Sequence, residues 1–238
     1  MASDSSASPP RSPSLLTKEA YWSSFYTDEQ HTYESSGNEG EEWFEGQVDN
    51  IVEWLVNDLI GPSRAPTLSV LDVGMGNGLF LARLVDEGFT NLHGIDYAES
   101  AVQFARRLME DRRGDWPDGV SVRFDRLDVL ACEEELRAVL REGGYSLVHD
   151  KGTFDVMWMR GQAGDDSAIE GYLRFLDCAV AAEGLFVVTS CNCTDEELQA
   201  TFGGSFEHVS SLAHPSLAFG GQTGQVVSTV AFKRRQTD

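Results

Sequence analysis

The chain predicts an α/β fold, a mostly parallel sheet with an antiparallel carboxyl-terminal edge. Three observations predict it. From Leu68 onward, short apolar runs alternate with segments of helical periodicity, the order that builds a parallel sheet. The first run ends in a glycine-rich turn, Val70-Leu71-Asp72-Val73-Gly74-Met75-Gly76-Asn77-Gly78. The second, Asn91-Leu92-His93-Gly94-Ile95, ends in an acid, Asp96. Open α/β sheets bind nucleotides at such strand ends.

The elements follow in order. Met1 to Ser14 is rich in Ser, Pro and Ala. It lacks the apolar core of a secretion signal and the arginine-rich pattern of a mitochondrial one. Residues 1–16 are expected to form a disordered tail, and 17–238 a single domain with a helical cap (17–66) and a sheet core (67–238). In the cap, Tyr21, Trp22, Phe25 and Tyr26 recur at helical spacing, and Gly37 to Gly40 breaks that helix. A second helix runs from Val48 to Ile60, stopped by Gly61-Pro62. Strands are expected at Leu68 to Val73, Leu92 to Asp96, Val120 to Phe124, Tyr145 to His149 and Gly184 to Thr189. Helices are expected at Leu79 to Glu87, Ser100 to Asp111, Glu133 to Arg141 and Ala168 to Ala182. Thr194, with Glu197 three residues on, has the spacing of a capping box for a short helix to Ala200. Ser205 to Ser210 and Val226 to Phe232 read as edge strands joined by a Gly-rich loop.

Composition narrows the function. A hydrophobic fraction of 41% allows a substantial core. No apolar run approaches bilayer length, so no membrane association is expected. A formal net charge of -21 disfavours nucleic acid, which is held by Lys and Arg on phosphates, and suits a basic protein partner. Cys132, Cys178, Cys191 and Cys193 show no zinc-ligand spacing with His208 and His214. No metal is expected, and reduced thiols fit a cytoplasmic location. Nothing in the sequence demands more than a monomer.

Asp96 stands at the distance of a ribose-binding carboxylate from the glycine turn, which points to an adenosine-containing cofactor. A dinucleotide fingerprint requires G-x-G-x-x-G. Here the spacing is G-x-G-x-G, and Leu79 occupies the position of the last glycine. Asp72 also places negative charge beside the turn, which is poor for a pyrophosphate. S-adenosylmethionine carries a sulfonium and an ammonium, and an acid suits both.

The motifs together resemble the class I, seven-strand S-adenosylmethionine-dependent methyltransferases. More narrowly, they resemble the Efm4-like group, protein-lysine methyltransferases of translation elongation factor 1-alpha. The resemblance rests on Tyr21-Trp22, Gly40-Glu41-Glu42-Trp43-Phe44, the glycine turn and Gly94-Ile95-Asp96-Tyr97. It continues through Asp150-Lys151-Gly152-Thr153-Phe154-Asp155, Thr189-Ser190-Cys191-Asn192 and Phe219-Gly220-Gly221-Gln222-Thr223-Gly224. The chain departs from the family at Glu45-Gly46, where Gly-Glu is usual, at Cys193, where an aromatic is usual, and in an expanded Asp111 to Pro117.

The resemblance implies a Rossmann-like three-layer sandwich and a set of roles. Gly74, Gly76 and Gly78, with Asn77 between them, floor the methionine part of the cofactor. Asp72 holds its ammonium, Asp96 its ribose, and Tyr97, Asp128 and Val129 its adenine. Asp150, ending the fourth strand, and Asn192, ending the fifth, are the expected catalytic residues: Asp150 binds the cofactor end or steers the incoming ammonium, and Asn192 accepts a hydrogen bond from the substrate amine. Trp22 and Trp43 wall the cofactor, and Tyr26, Phe44, Phe154 and Phe219 shape a substrate channel. Lys151 reads as a surface lysine or a partner of Asp155. The implied activity is methylation of a lysine on elongation factor 1-alpha. A small-molecule amine methyltransferase and a catalytically silent cofactor-binding partner are the alternatives, since fold alone does not fix function.

Overall fold

Five runs become parallel strands because the segment joining each to the next is long enough to return across the sheet. They are β1 (Ser69–Val73), β2 (Asn91–Asp96), β3 (Ser121–Arg126), β4 (Tyr145–Lys151) and β5 (Val180–Ser190). The computed structural model describes residues 15–44, 46–219 and 222–236. Three further elements complete the carboxyl-terminal part: β6 (Phe206–Leu212), a separate hairpin of β7 (Ser216–Phe219) and β8 (Gln222–Gln225), and β9 (Ser228–Arg234). The seven-stranded sheet has the order β3-β2-β1-β4-β5-β9-β6. β9 runs antiparallel to both β5 and β6. The antiparallel side is thus present as expected, with the last strand inserted one place in from the edge. The segment read as a Gly-rich loop contains the β7–β8 hairpin.

Alternation along each strand divides the apolar residues between two cores. Val70, Leu147, Val187 and Ala231 face one core with α2 (Gln47–Trp54), α3 (Leu79–Asp86) and α4 (Glu99–Arg112). Leu71, Val148, Phe186 and Phe232 face the other. It is covered by α5 (Glu133–Val139), α6 (Thr153–Gln162), α7 (Ser167–Ala179) and α8 (Asp195–Phe202). The result is the three-layer sandwich.

Helix ends follow local chemistry. α1 (Glu19–Ser36) stops at Gly37, which adopts φ 73° and returns its N–H to the Tyr33 carbonyl at 2.8 Å. α2 continues as a wider π turn over Leu55–Ile60 before Gly61. Thr194 caps α8 as its spacing predicts: its Oγ1 accepts from the Glu197 N–H at 3.2 Å, and Glu197 returns a carboxylate to the Thr194 N–H at 2.8 Å. α6 is not among the expected helices. Leu15–Thr17, partly assigned to the tail from sequence, forms a 3-10 turn whose Leu16 carbonyl accepts from Trp22 Nε1 at 2.8 Å. No helix among the described residues is long and apolar enough to cross a membrane.

Candidate active site

The carboxyl ends of β1, β2 and β4 open into a cavity roofed by the aromatic face of α1. It encloses about 1180 Å³ of open space, counting the part continuous with solvent. Its floor is the turn after β1. Gly74, Gly76 and Gly78 all lie at positive φ, between 57° and 79°, a region that L side chains rarely adopt. A Cβ at Gly74 would collide with Thr153 Oγ1, and one at Gly76 with Tyr26 Oη. Gly78 serves the packing instead. It precedes α3, and its missing Cβ lets Ala105 of α4 approach to 3.2 Å of that position. Gly74, Gly76 and Asn77 line the cavity, whereas Gly78 packs two helices together behind it.

Asp96, at the end of β2, is only 5% exposed. Its Oδ2 accepts from the Gly76 N–H at 3.2 Å and its Oδ1 from the Ala98 N–H at 2.9 Å. Burial nevertheless pushes its carboxyl up to about 6. The Tyr97 hydroxyl is buried without a hydrogen-bond partner among the described residues. Asp128 and Val129, after β3, complete this end. Asp128 also accepts from the Leu130 N–H at 2.8 Å, so it shapes its own turn while lining the wall.

The opposite end lies between β1 and β4. Asp72 pairs in register with His149, and His149 Nδ1 stands 2.8 Å from Asp72 Oδ1. Above them, Trp22 and Trp43 meet edge to face at 5.2 Å, with Phe25 and Tyr26 beside them. Burial and the nearby Asp96 carboxylate hold the Tyr26 phenol well above its ordinary value. Tyr26, expected in a substrate channel, in fact covers the glycine turn.

Besides Gly78, four expected residues are not in the cavity wall. Asp150 is fully buried, and its carboxylate is turned away from the opening. It accepts from Thr153 and Phe154 N–H groups at 2.9 and 3.1 Å and from Tyr172 Oη at 2.5 Å. The start of α6 and the Tyr172 hydroxyl use its acceptors, so it anchors a helix rather than facing a reacting end. Phe154, the first inward residue of that helix, is core, with its ring 4.8 Å from Phe202. Asn192 lies in a second groove with Thr194, Val227 and Ser228. Ser190 Oγ accepts from its N–H and from that of Cys193, and this turns the chain away from the cavity. Phe44 stands outside the wall at φ 63°, beside Trp43. Phe219 pairs through its backbone in β7, and its side chain lies outside the described residues.

Sequence reasoning missed one wall entirely. Thr153, Val156, Met157 and Arg160 line the cavity from α6, with the i, i+3, i+4, i+7 spacing of one helix face. That spacing was available as a signal. Lys151 also lines the cavity: its ammonium donates to the Trp43 carbonyl and lies 5.8 Å from the Phe44 ring centroid. It does not pair with Asp155, whose carboxylate accepts from Ser190 Oγ and the Cys191 N–H. Burial lowers the Lys151 amine from its ordinary value.

Comparison with known proteins places this architecture. Residues 65–230 match a family model described as a methyltransferase domain. EEF1A lysine methyltransferase 2 of Homo sapiens is 34% identical over 227 residues, covering 93% of this chain and 88% of the relative. The protein-lysine N-methyltransferase efm4 of Schizosaccharomyces pombe is 32% identical over 238 residues, covering 92% and 94%. The chain belongs to this methyltransferase family. Solved structures support the family's fold. A magnesium protoporphyrin IX methyltransferase from Synechocystis with bound SAH superposes with a TM-score of 0.61 at 15% identity, over 91% of this chain and 98% of that one. A SAM-dependent methyltransferase from Anabaena variabilis gives 0.61 at 14% identity, over 96% and 99%.

Proposed function

We propose that the chain is an S-adenosylmethionine-dependent protein-lysine N-methyltransferase that acts on translation elongation factor 1-alpha, in the cytoplasm and as a monomer. The observation that carries this reading is the cavity itself, with a glycine floor at positive φ between a buried acid at each end, Asp72 and Asp96. The family of relatives named as lysine methyltransferases supports the substrate.

The residues fit the cofactor. Asp96 is a buried carboxylate with acceptor capacity to spare, and a vicinal diol supplies two donors. The buried Tyr97 hydroxyl lacks a partner among the described residues and lies at the same end, where adenine offers polar edges. Asp72 gives the far end the negative charge that an ammonium requires. Bound S-adenosylmethionine supplies a methyl group made electrophilic by its sulfonium.

The chain's own part is to orient and to exclude water. Trp22, Phe25 and Trp43 present aromatic faces, which attract cations and remove solvent. A lysine amine titrates near ~10.4 in water and must lose its proton before it can attack. Desolvation against these rings lowers that value. Alignment and desolvation therefore supply most of the rate, with the proton leaving to solvent.

The test is incubation with labelled S-adenosylmethionine and elongation factor 1-alpha, beside Gly76→Arg, whose side chain would fill the space held by Tyr26 Oη. Label on a lysine of the factor, absent with the variant, is the expected result. Cofactor binding without labelling of the factor would overturn the substrate, and labelling of small amines instead would favour the small-molecule alternative.

A further inference from the structure

The cavity contains an unused acceptor. Asp72 and His149 sit opposite each other on β1 and β4, so their side chains leave the sheet on the same face, under the glycine turn. His149 is 0% exposed, and its ring stacks on Phe80 with centroids 3.6 Å apart. The Asp72 carboxylate can only accept, so the ring proton belongs on Nδ1, facing Asp72 Oδ1 at 2.8 Å. That leaves a lone pair on Nε2. This atom is buried and has no hydrogen-bond partner among the described residues, in a side chain that lines the cavity. Burial also lowers the basicity of the ring, which keeps it neutral and Nε2 an acceptor. A buried acceptor without a donor is costly.

The chemistry of the missing donor follows. An anion or a carbonyl would meet only a lone pair and the Asp72 charge. An ammonium would satisfy the lone pair and be attracted by the carboxylate behind it. We propose that His149 Nε2 accepts a hydrogen bond from the α-ammonium of the bound cofactor, so that Asp72 and His149 together form the amine end of the site. This rests on the S-adenosylmethionine reading given above. Asp72 then acts partly through His149: it fixes the tautomer that exposes the lone pair, as a carboxylate does for a histidine that must present one chosen nitrogen.

The experiment compares two ligands that share adenosine and differ at the amine: S-adenosylhomocysteine, and 5′-methylthioadenosine, which lacks the amino-acid part. The chain has 5 histidines, few enough to resolve by nitrogen-15 NMR of the histidine-labelled full chain, with His149→Gln for assignment. The Nε2 resonance of His149 should move upfield with S-adenosylhomocysteine and hold still with 5′-methylthioadenosine. In parallel, His149→Phe keeps the stacking on Phe80 and removes the acceptor. It should bind S-adenosylhomocysteine about tenfold more weakly, the worth of one hydrogen bond, and 5′-methylthioadenosine within about twofold of the parent. Equal shifts with both ligands, or no shift with S-adenosylhomocysteine bound, would overturn the proposal and leave the cofactor reading standing. Failure of the parent chain to bind either ligand would overturn both. If His149→Phe does not fold, the NMR comparison on the parent chain decides alone.

Discussion

Asp96 and Asp150 are both buried carboxylates at strand ends, and their partners separate their roles. Asp96 accepts from two backbone N–H groups and still faces the cavity. Its carboxyl is raised to about 6, above the usual 3.8. A carboxyl raised in the fold binds its proton more tightly there than in the unfolded chain. Its contribution to stability is therefore present at low pH and lost as the pH rises towards about 6. A diol bound to the ionised form acts in the opposite sense. The rise in melting temperature on adding S-adenosylhomocysteine should accordingly be smaller at pH 5.5 than at pH 7.5, and Asp96→Asn should flatten the difference. Asp150 also titrates high, at about 7 through burial, but lies outside the cavity and drops out of that comparison. Its three donors predict that Asp150→Ala destabilises by about 3 kcal/mol in urea melts while S-adenosylhomocysteine affinity changes little. Unchanged stability with abolished turnover would restore a chemical role. Asp72 and Asp96 were legible in the sequence because their distance from the glycines follows from one strand, one turn and one crossover. Asp150 was not: whether an acid at a strand end faces a cavity or caps a helix depends on the helix that follows.

That helix, α6, is the element whose absence from the sequence reading cost most. Gly152 precedes it and Gly161 sits near its end, and glycine lowers helix propensity. With α6 unassigned, the wall from Thr153 to Arg160 was invisible, and Phe154 passed for a channel residue. The βα alternation elsewhere was legible because apolar runs and helical spacing agreed. The roof is held at the same junction. Gly152 lies at φ 91°, and a Cβ there would stand 2.9 Å from Trp43 Cδ1, next to the carbonyl that Lys151 engages. Gly152→Ala should cost about 1–3 kcal/mol of unfolding free energy, from backbone strain and contact with the indole. Lys151→Met keeps the stem and removes the donor. Amides around Trp43 should then exchange hydrogen faster, and S-adenosylhomocysteine should bind several-fold more weakly. An exchange pattern identical to the parent would show that the lysine does not hold the roof.

At the scale of the whole molecule, charge and sheet order dominate. A formal net charge of -21 produces a long-range field that accelerates encounter with a basic partner and is screened by salt. The kcat/KM for elongation factor 1-alpha should fall about tenfold between low salt and about 0.3 M salt, while kcat stays near constant. A salt-independent kcat/KM would remove charge from substrate capture. Net charge could be read directly from composition. The order of the last strands could not, because apolar alternation does not say which edge a strand joins. That order has a consequence during synthesis. β6 leaves the ribosome before β9, yet its place in the sheet exists only once β9 has paired with β5. Until then Phe186, Phe202 and Phe206 await Phe232, the ring that closes their cluster. The nascent chain thus carries a sticky, unfinished sheet edge from the emergence of β5 until β9 has followed, an interval in which chaperones bear on its yield.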